Sequence, residues 1–189
     1  MARENSGMRT VQFRHHLAGV TLIELLVVLV VLAVFVALGI PSFNSVFDRH
    51  RVTGAAQALY ADLQYARAES IKRNVDVAVN FNNTAGWCYG ITDTAPFAAC
   101  DCNGSVASQA SCSVNGQQYI VTDERFPGVS MVTSPANMAV SFDPTRGTLS
   151  PNGNISFTGD AAEQVRVTTY FIGRVRLCSP TGYAGYKPC

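Results

Sequence analysis

Hydrophobic and polar positions change their rhythm three times along the chain. A polar leader gives way at Val20 to "VTLIELLVVLVVLAVFVALGI", which runs to Ile40 with a single charge, Glu24. About 20 apolar residues let a helix cross a bilayer, so 20–41 is expected to be a transmembrane helix. Beyond Pro41 the apolar positions thin to helical spacing: Val52, Ala55, Ala56, Leu59, Leu63, Ala66, Ser70 and Ile71. Arg51, Asp62, Gln64, Arg67, Glu69 and Arg73 are expected on the opposite face. This predicts an amphipathic continuation over 42–73 that packs on the domain after it. Pro41 is expected to kink the helix without ending it, since neighbouring groups satisfy the freed carbonyl.

After Asn74 the rhythm becomes period two. "VDVAVNF", "GWCYGI", "QQYIVTD", "VSMVTS", "MAVSFD", "NISFTG", "QVRVTTYF" and "GRVRLC" read as strands. Dense Gly, Pro and Asn punctuation separates them. One long helix followed by short strands predicts an α+β fold, the helix lying on an antiparallel β-sheet or sandwich formed by 74–189.

Glu24 is the anomaly of the apolar run. A carboxylate within a span costs about 2.5–3.5 kcal/mol on insertion scales, so it calls for a partner. Arg3, Arg9 and Arg14 against a lone Glu4 keep the preceding segment in the cytoplasm. An ordinary signal peptide or single-pass anchor fits the hydropathy. A signal peptide, however, places its small-residue cleavage site after the apolar run, whereas here Gly19 stands immediately before it.

Bulk composition narrows the class further. A formal net charge of +1 gives no global steering toward nucleic acid or anionic membrane, so such binding needs a local patch. Cys88, Cys100, Cys102, Cys112, Cys178 and Cys189 all lie beyond the apolar run. An even count there favours disulfides in the periplasm or at the cell surface, with the pairing left open. Zinc is the weaker reading, because Cys100-Asp101-Cys102 is too tight for the usual hook and no histidine follows it. The long segment from Thr92 to Gly116 is expected to be a loop stapled by its cysteines.

"GVTLIELLVVLVVLAV" resembles the class III signal of type IV pilins and type II secretion pseudopilins. The resemblance implies that 1–19 is a leader removed by a prepilin peptidase after Gly19. The new terminus, Val20, would then be N-methylated, although phenylalanine or methionine is usual there. Glu24 becomes the fifth residue of the mature chain, and Pro41 takes a place where proline is common in that family. A carboxylate at Glu24 then neutralises the terminal amine of a neighbouring subunit, each charge lowering the burial cost of the other. Gly19 and Val20 are thus processing residues, and Glu24 and Pro41 assembly residues.

"LQYARAESIKRN", "GWCYGI", "SFDPTRGTLSPNGNISF" and "GRVRLC" extend the likeness. They resemble the GspH/FimT group of minor pilins and pseudopilins, FimU among them, over nearly the whole mature chain except the cysteine loop. The group pairs the pilin helix with a β-sandwich-like domain at or near a filament tip. Its implied partners are other major or minor pilins or pseudopilins, the prepilin peptidase and the inner membrane. The chain would sit in that membrane with its N-terminus cytoplasmic, then in the periplasm or at the surface once assembled.

The last third of the chain carries the candidate chemistry. From Gln164 to Cys189 the charged residues are Arg166, Arg174, Arg176 and Lys187, with no acid among them. Arg174 and Arg176 alternate on a strand and so share a face, offering a phosphate-binding patch; the plain alternative is a solvated strand face. Gly173-Arg174-Val175-Arg176 also resembles the DNA-binding motif of competence minor pilins of the FimT type. That resemblance implies double-stranded DNA as a partner in natural transformation, without sequence preference because phosphate contacts do not read bases. A bridge from Cys178 to Cys189 would close a short loop, worth about 2–3 kcal/mol, and hold Tyr183, Tyr186 and Lys187 near the arginines; Tyr183 and Tyr186 would add stacking surface. Pairing of Cys178 with Cys88 or Cys112 remains open.

No enzyme motif is present: G-x-S-x-G, H-E-x-x-H and P-loop patterns are all missing from the sequence. Asp143, Asn152 and Asn154 suggest calcium, but turn chemistry explains them better. The expectation is a structural minor pilin without catalytic residues, metal or cofactor, with a pseudopilin of a type II secretion system as the alternative.

Overall fold

The computed structural model describes residues 19–183 and 185–189, with the side chains of 37–45 left outside the description. The expected leader therefore lies outside the described residues apart from Gly19. The chain divides into two compact units, Met1–Pro41 and Ser42–Cys189.

Helix α1, Leu22–Arg73, supplies the described helical part of the first unit and enters the second. Thr21 begins it: its Oγ1 accepts the Glu24 backbone N–H at 3.3 Å, satisfying one donor that the first turn leaves orphaned. Every side chain from Gly19 to Val36 is exposed. Among the described residues no helix is long and apolar enough to cross a membrane. The expected span reaches through 37–41, whose side chains are outside the description. Pro41 belongs to the helical run, and its expected kink lies with those residues.

In the second unit α1 buries Val52, Ala55, Ala56, Leu59, Leu63, Ala66 and Ser70. Ile71, expected with them, is 51% exposed, and Asp62, expected on the opposite face, is buried. The helix ends where Asn74 turns left-handed at φ 55° and Val75 N–H closes back on the Ser70 carbonyl at 3.3 Å.

Eleven strands follow among the described residues. They are β1 (Val77–Asn82), β2 (Cys88–Thr92), β3 (Ser113–Val114), β4 (Gln117–Gln118), β5 (Ile120–Thr122), β6 (Ser130–Ser134), β7 (Ala139–Phe142), β8 (Leu149–Ser150), β9 (Gly153–Thr158), β10 (Gln164–Thr169) and β11 (Val175–Cys178). One sheet has the order β5-β2-β1-β7-β8, another β11-β10-β9-β6, and β3-β4 form a small ribbon; all pairings are antiparallel. Val77, Val79 and Phe81 of the first sheet share one core with Ile155, Phe157, Val165 and Val167 of the second and with the α1 stripe. Trp87 seals it, donating to the Val129 carbonyl at 2.6 Å and meeting Phe157 edge-on at 5.4 Å.

Polar side chains of α1 tie it to both sheets. Asp62 accepts from the hydroxyls of Tyr89 at 2.6 Å and Tyr119 at 2.8 Å. Asp48, also buried, accepts from the backbone N–H groups of Asp160 and Ala161 in the β9–β10 turn. Ser70 donates to the Phe142 carbonyl of β7 at 3.0 Å.

The cysteine-rich segment folds over β2. Its bridges are Cys88–Cys102 and Cys100–Cys112, and the segment contains helix α2, Val106–Ala110. A methyl on Gly90 would lie 2.6 Å from the Cys112 sulfur and 2.7 Å from that of Cys100, so β2 needs glycine where the bridge rests. Asn80 of β1 fixes the same segment by donating to the Cys100 carbonyl at 2.8 Å.

Gly90→Ala is expected to destabilise the oxidised protein by about 1–3 kcal/mol through overpacking against this bridge. The check is the denaturation midpoint; an unchanged midpoint would mean the bridge does not rest on β2. A second test uses the tyrosines. Burial, then Asp62, pushes the Tyr89 hydroxyl far above its ordinary value of 10.0. Burial and the hydrogen bond to Asp62 push Tyr119 up to about 12. Both protons are held more tightly in the folded than in the unfolded chain, so their contribution is complete below pH 10 and is lost as pH rises above it. In an absorbance titration Tyr89 and Tyr119 should lag behind the other tyrosines, and Asp62→Asn should shorten the lag. Simultaneous titration of all 7 tyrosines in the native protein would contradict this.

Candidate nucleic-acid interface

Strand alternation builds one polar face on the second sheet. Val165, Val167 and Thr169 of β10 point into the core, which turns Gln164, Arg166 and Thr168 outward. In β11 Val175 is buried, Arg176 half-buried, and Arg174 just before the strand exposed. Thr168 pairs with Arg176 and Arg166 with Cys178. Arg166 and Arg176 are therefore diagonal neighbours on one face, about 7–8 Å apart at the backbone. Arg174 continues the row about 7 Å further along.

Neighbouring strands complete the surface. Arg166 Nε donates to Ser156 Oγ of β9 at 3.1 Å, which holds the guanidinium across the strands. A hollow of about 380 Å³ opens there between Val132, Ser134, Asn154, Ser156, Gln164 and Arg166. Among the described residues, none of Arg166, Arg174, Arg176 or Lys187 is in an ion pair. The acid just before β10, Glu163, is taken by Arg49 at 2.9 Å. The face therefore offers guanidinium groups, hydroxyls and amides, a donor set suited to phosphate oxygens.

The C-terminal loop is closed by a Cys178–Cys189 bridge. Arg176 Nη2 donates to the Pro188 carbonyl at 3.0 Å, and Ser179 N–H to that of Lys187 at 3.0 Å. Exposed Lys187 is thus carried beside Arg176.

The tyrosines of this loop depart from expectation. Tyr183 and Tyr186 stack on each other at 5.8 Å, but their partners lie on α1. Arg49 sits 5.3 Å over the Tyr183 ring, Thr53 Oγ1 is 3.3 Å from its hydroxyl, and Gln57 donates to the Tyr186 hydroxyl at 3.4 Å. The rings anchor the loop to the helix because apolar surface beside α1 outcompetes an exposed place beside the arginines. Tyr183 and Tyr186 therefore face α1 and add no stacking surface beside the arginines.

Asp143 Oδ1 accepts from the N–H groups of Thr145 and Arg146, an Asx turn, and Asn154 Oδ1 accepts from the Thr168 hydroxyl. Among the described residues no group of three or more His, Cys, Asp or Glu side chains is placed to hold a metal. Gly19, Val20 and Glu24 are exposed in the first unit. Missed in the sequence were the buried carboxylates Asp48 and Asp62 and the polar outward set of β9. The available signal was spacing: Asp48 and Asp62 sit four and seven residues from Val52 and Ala55, inside the buried stripe.

A methylation-motif segment opening a long helix, with an antiparallel β-domain after it, defines a subunit of the pilin and pseudopilin class. The prokaryotic N-terminal methylation motif matches residues 14–40. The chain belongs to the GspH family, type II transport protein GspH, whose family model matches residues 55–173. In fold it is similar to the minor pseudopilin EpsH from the type 2 secretion system of Vibrio cholerae, with 19% identity and TM-score 0.50. That likeness covers 69% of this chain and 98% of the other. The type IV minor pilin FimU of Pseudomonas aeruginosa is similar at 19% identity and TM-score 0.50, covering 70% of this chain and 92% of the other. No curated protein matches the chain in sequence.

Proposed function

We propose that this chain is a minor pilin, processed after Gly19 and built near the tip of a type IV pilus, where its arginine face captures DNA during uptake. The observation that carries the DNA reading is the unopposed row of Arg174, Arg176 and Arg166 on one sheet face, with Lys187 beside it. Before assembly the protein resides in the inner membrane through 20–41, with its N-terminus cytoplasmic. The methylation motif supports this, together with the apolar sequence from Val20 to Ile40. Prepilin peptidase cuts between Gly19 and Val20 and methylates the new amine. Glu24 then pairs with the amine of a neighbouring subunit, fixing helix register during assembly; Pro41 lets the helix bend against its neighbours.

The DNA contact is one of phosphates. With Tyr183 and Tyr186 turned to α1, the face has no aromatic platform of theirs for unstacked bases, so duplex DNA binds by charge without sequence preference. The second reading, a minor pseudopilin of a type II secretion system, draws on the family's description as a type II transport protein. Its partners would be other pseudopilins, and the arginines a solvated strand face.

Two measurements test this. Full-length protein in detergent should bind duplex DNA with an affinity that falls steeply with salt. Arg174→Ala with Arg176→Ala should lower the log–log salt slope by about two and weaken every sequence alike. No binding by the oxidised parent protein would remove DNA capture and leave the assembly role. Separately, Glu24→Gln should leave cleavage after Gly19 intact but reduce recovery in sheared filaments about tenfold; equal recovery would end the amine-pairing account.

A further inference from the structure

Three consecutive large apolar residues, Tyr170, Phe171 and Ile172, form the tip of the β10–β11 hairpin and are 40%, 63% and 67% exposed. The tip is held in place by backbone hydrogen bonds: Tyr170 N–H to the Arg174 carbonyl, Gly173 N–H to that of Tyr170, and Leu149 N–H to that of Phe171. Gly173 approaches the β7–β8 loop so closely that a methyl on it would lie 2.1 Å from the Gly147 carbonyl oxygen. A methyl on Gly147 would in turn lie 3.1 Å from Ile71 of α1, itself 51% exposed. One end of the second unit thus gathers four exposed apolar side chains on a fixed backbone. Runs of this kind mark interaction surfaces in soluble domains.

The surroundings of this patch select its occupant. Arg146 and Arg174, both exposed, adjoin Gly147 and Gly173. Arg67 lies against both glycines, and its Nε is buried without a hydrogen-bond partner. Of the acids near this end, Asp143 caps its own turn and Glu69 holds Lys72 at 3.0 Å, while exposed Asp76, just before β1, is in no ion pair among the described residues. Among the described residues Arg67, Arg146 and Arg174 are in no ion pair, and an apolar patch beside three such arginines fits an apolar surface edged with carboxylates. A second copy meeting it face to face would bring arginines against arginines.

We infer that this end, centred on Phe171 and Ile172, docks the domain of a different pilin-class subunit of the same filament, one presenting apolar side chains edged by Asp or Glu. The inference rests on the filament reading above, and it separates this contact from the arginine face, of which only Arg174 touches the rim.

The test uses the full chain in cells that assemble it, with a photo-crosslinking phenylalanine analogue at Phe171 and, as a control, at Val106, which is 84% exposed on α2. The expected result is an adduct from 171 to another protein bearing an N-terminal methylation segment, at about tenfold the yield from 106. Arg146→Glu should lower that yield about tenfold by setting like charges together. Phe171→Ser with Ile172→Ser should reduce co-purification of the same partner while leaving the disulfides and DNA binding by the arginine face unaltered. A chain present in sheared filaments without an adduct from 171 overturns the docking surface alone. So does an adduct to phospholipid or to a second copy of this chain. A chain absent from filaments overturns the filament reading and the docking surface together.

Discussion

A carboxylate taken out of water must find donors, and in this protein that requirement sets where α1 lies on the sheets. Asp48 and Asp62 occupy the buried stripe of a helix whose other stripe positions are mostly alanine, valine and leucine. Small residues let backbones approach closely but specify position weakly, because neighbouring alanines are interchangeable. The carboxylates remove that ambiguity. Asp62 satisfies its two oxygens only when Tyr89 and Tyr119 arrive together. Asp48 needs the β9–β10 turn. A slip of α1 by one turn would strand both carboxylates, each at a penalty of several kcal/mol. One helix thereby registers a sheet on which the cysteine segment rests and a second sheet that displays the arginines.

That dependence explains what could be read beforehand. Period-two alternation located the strands well, since a half-buried antiparallel strand writes its two environments directly into sequence. "QVRVTTYF" and "GRVRLC" became β10 and β11, and alternation alone put Arg174 and Arg176 on one face. Asp62 was misread because charge was weighed above spacing: its place between Leu59 and Leu63 belongs to the stripe, and only its chemistry argued for solvent. The two-residue strands β3 and β8 were too short to show a period.

The loop chemistry was less legible for a different reason. Cysteine spacing fixes which residues are available, not which approach, and Cys100 and Cys102 are so close in sequence that either can reach the same partners. Gly90 carried a usable clue, as a glycine in a buried strand signals that something presses on the backbone there. Tyr183 and Tyr186 were expected beside the arginines because the chain ordering puts them there; what decides is that α1 offers apolar cover and hydroxyl partners at once.

The two bridges of the cysteine segment interlace: Cys88–Cys102 encloses Cys100, and Cys100–Cys112 encloses Cys102. Under tension, a chain without them could be drawn out over the 88–112 stretch to about 80 Å. With them, load passes from Cys88 to Cys102, through Asp101 to Cys100, and out at Cys112. The covalent path spans Cα separations of 6.0 and 4.6 Å plus one short dipeptide step, so this segment lengthens by only a small fraction of its contour. The segment that looks like the most irregular part of the domain is, mechanically, a short covalent strap.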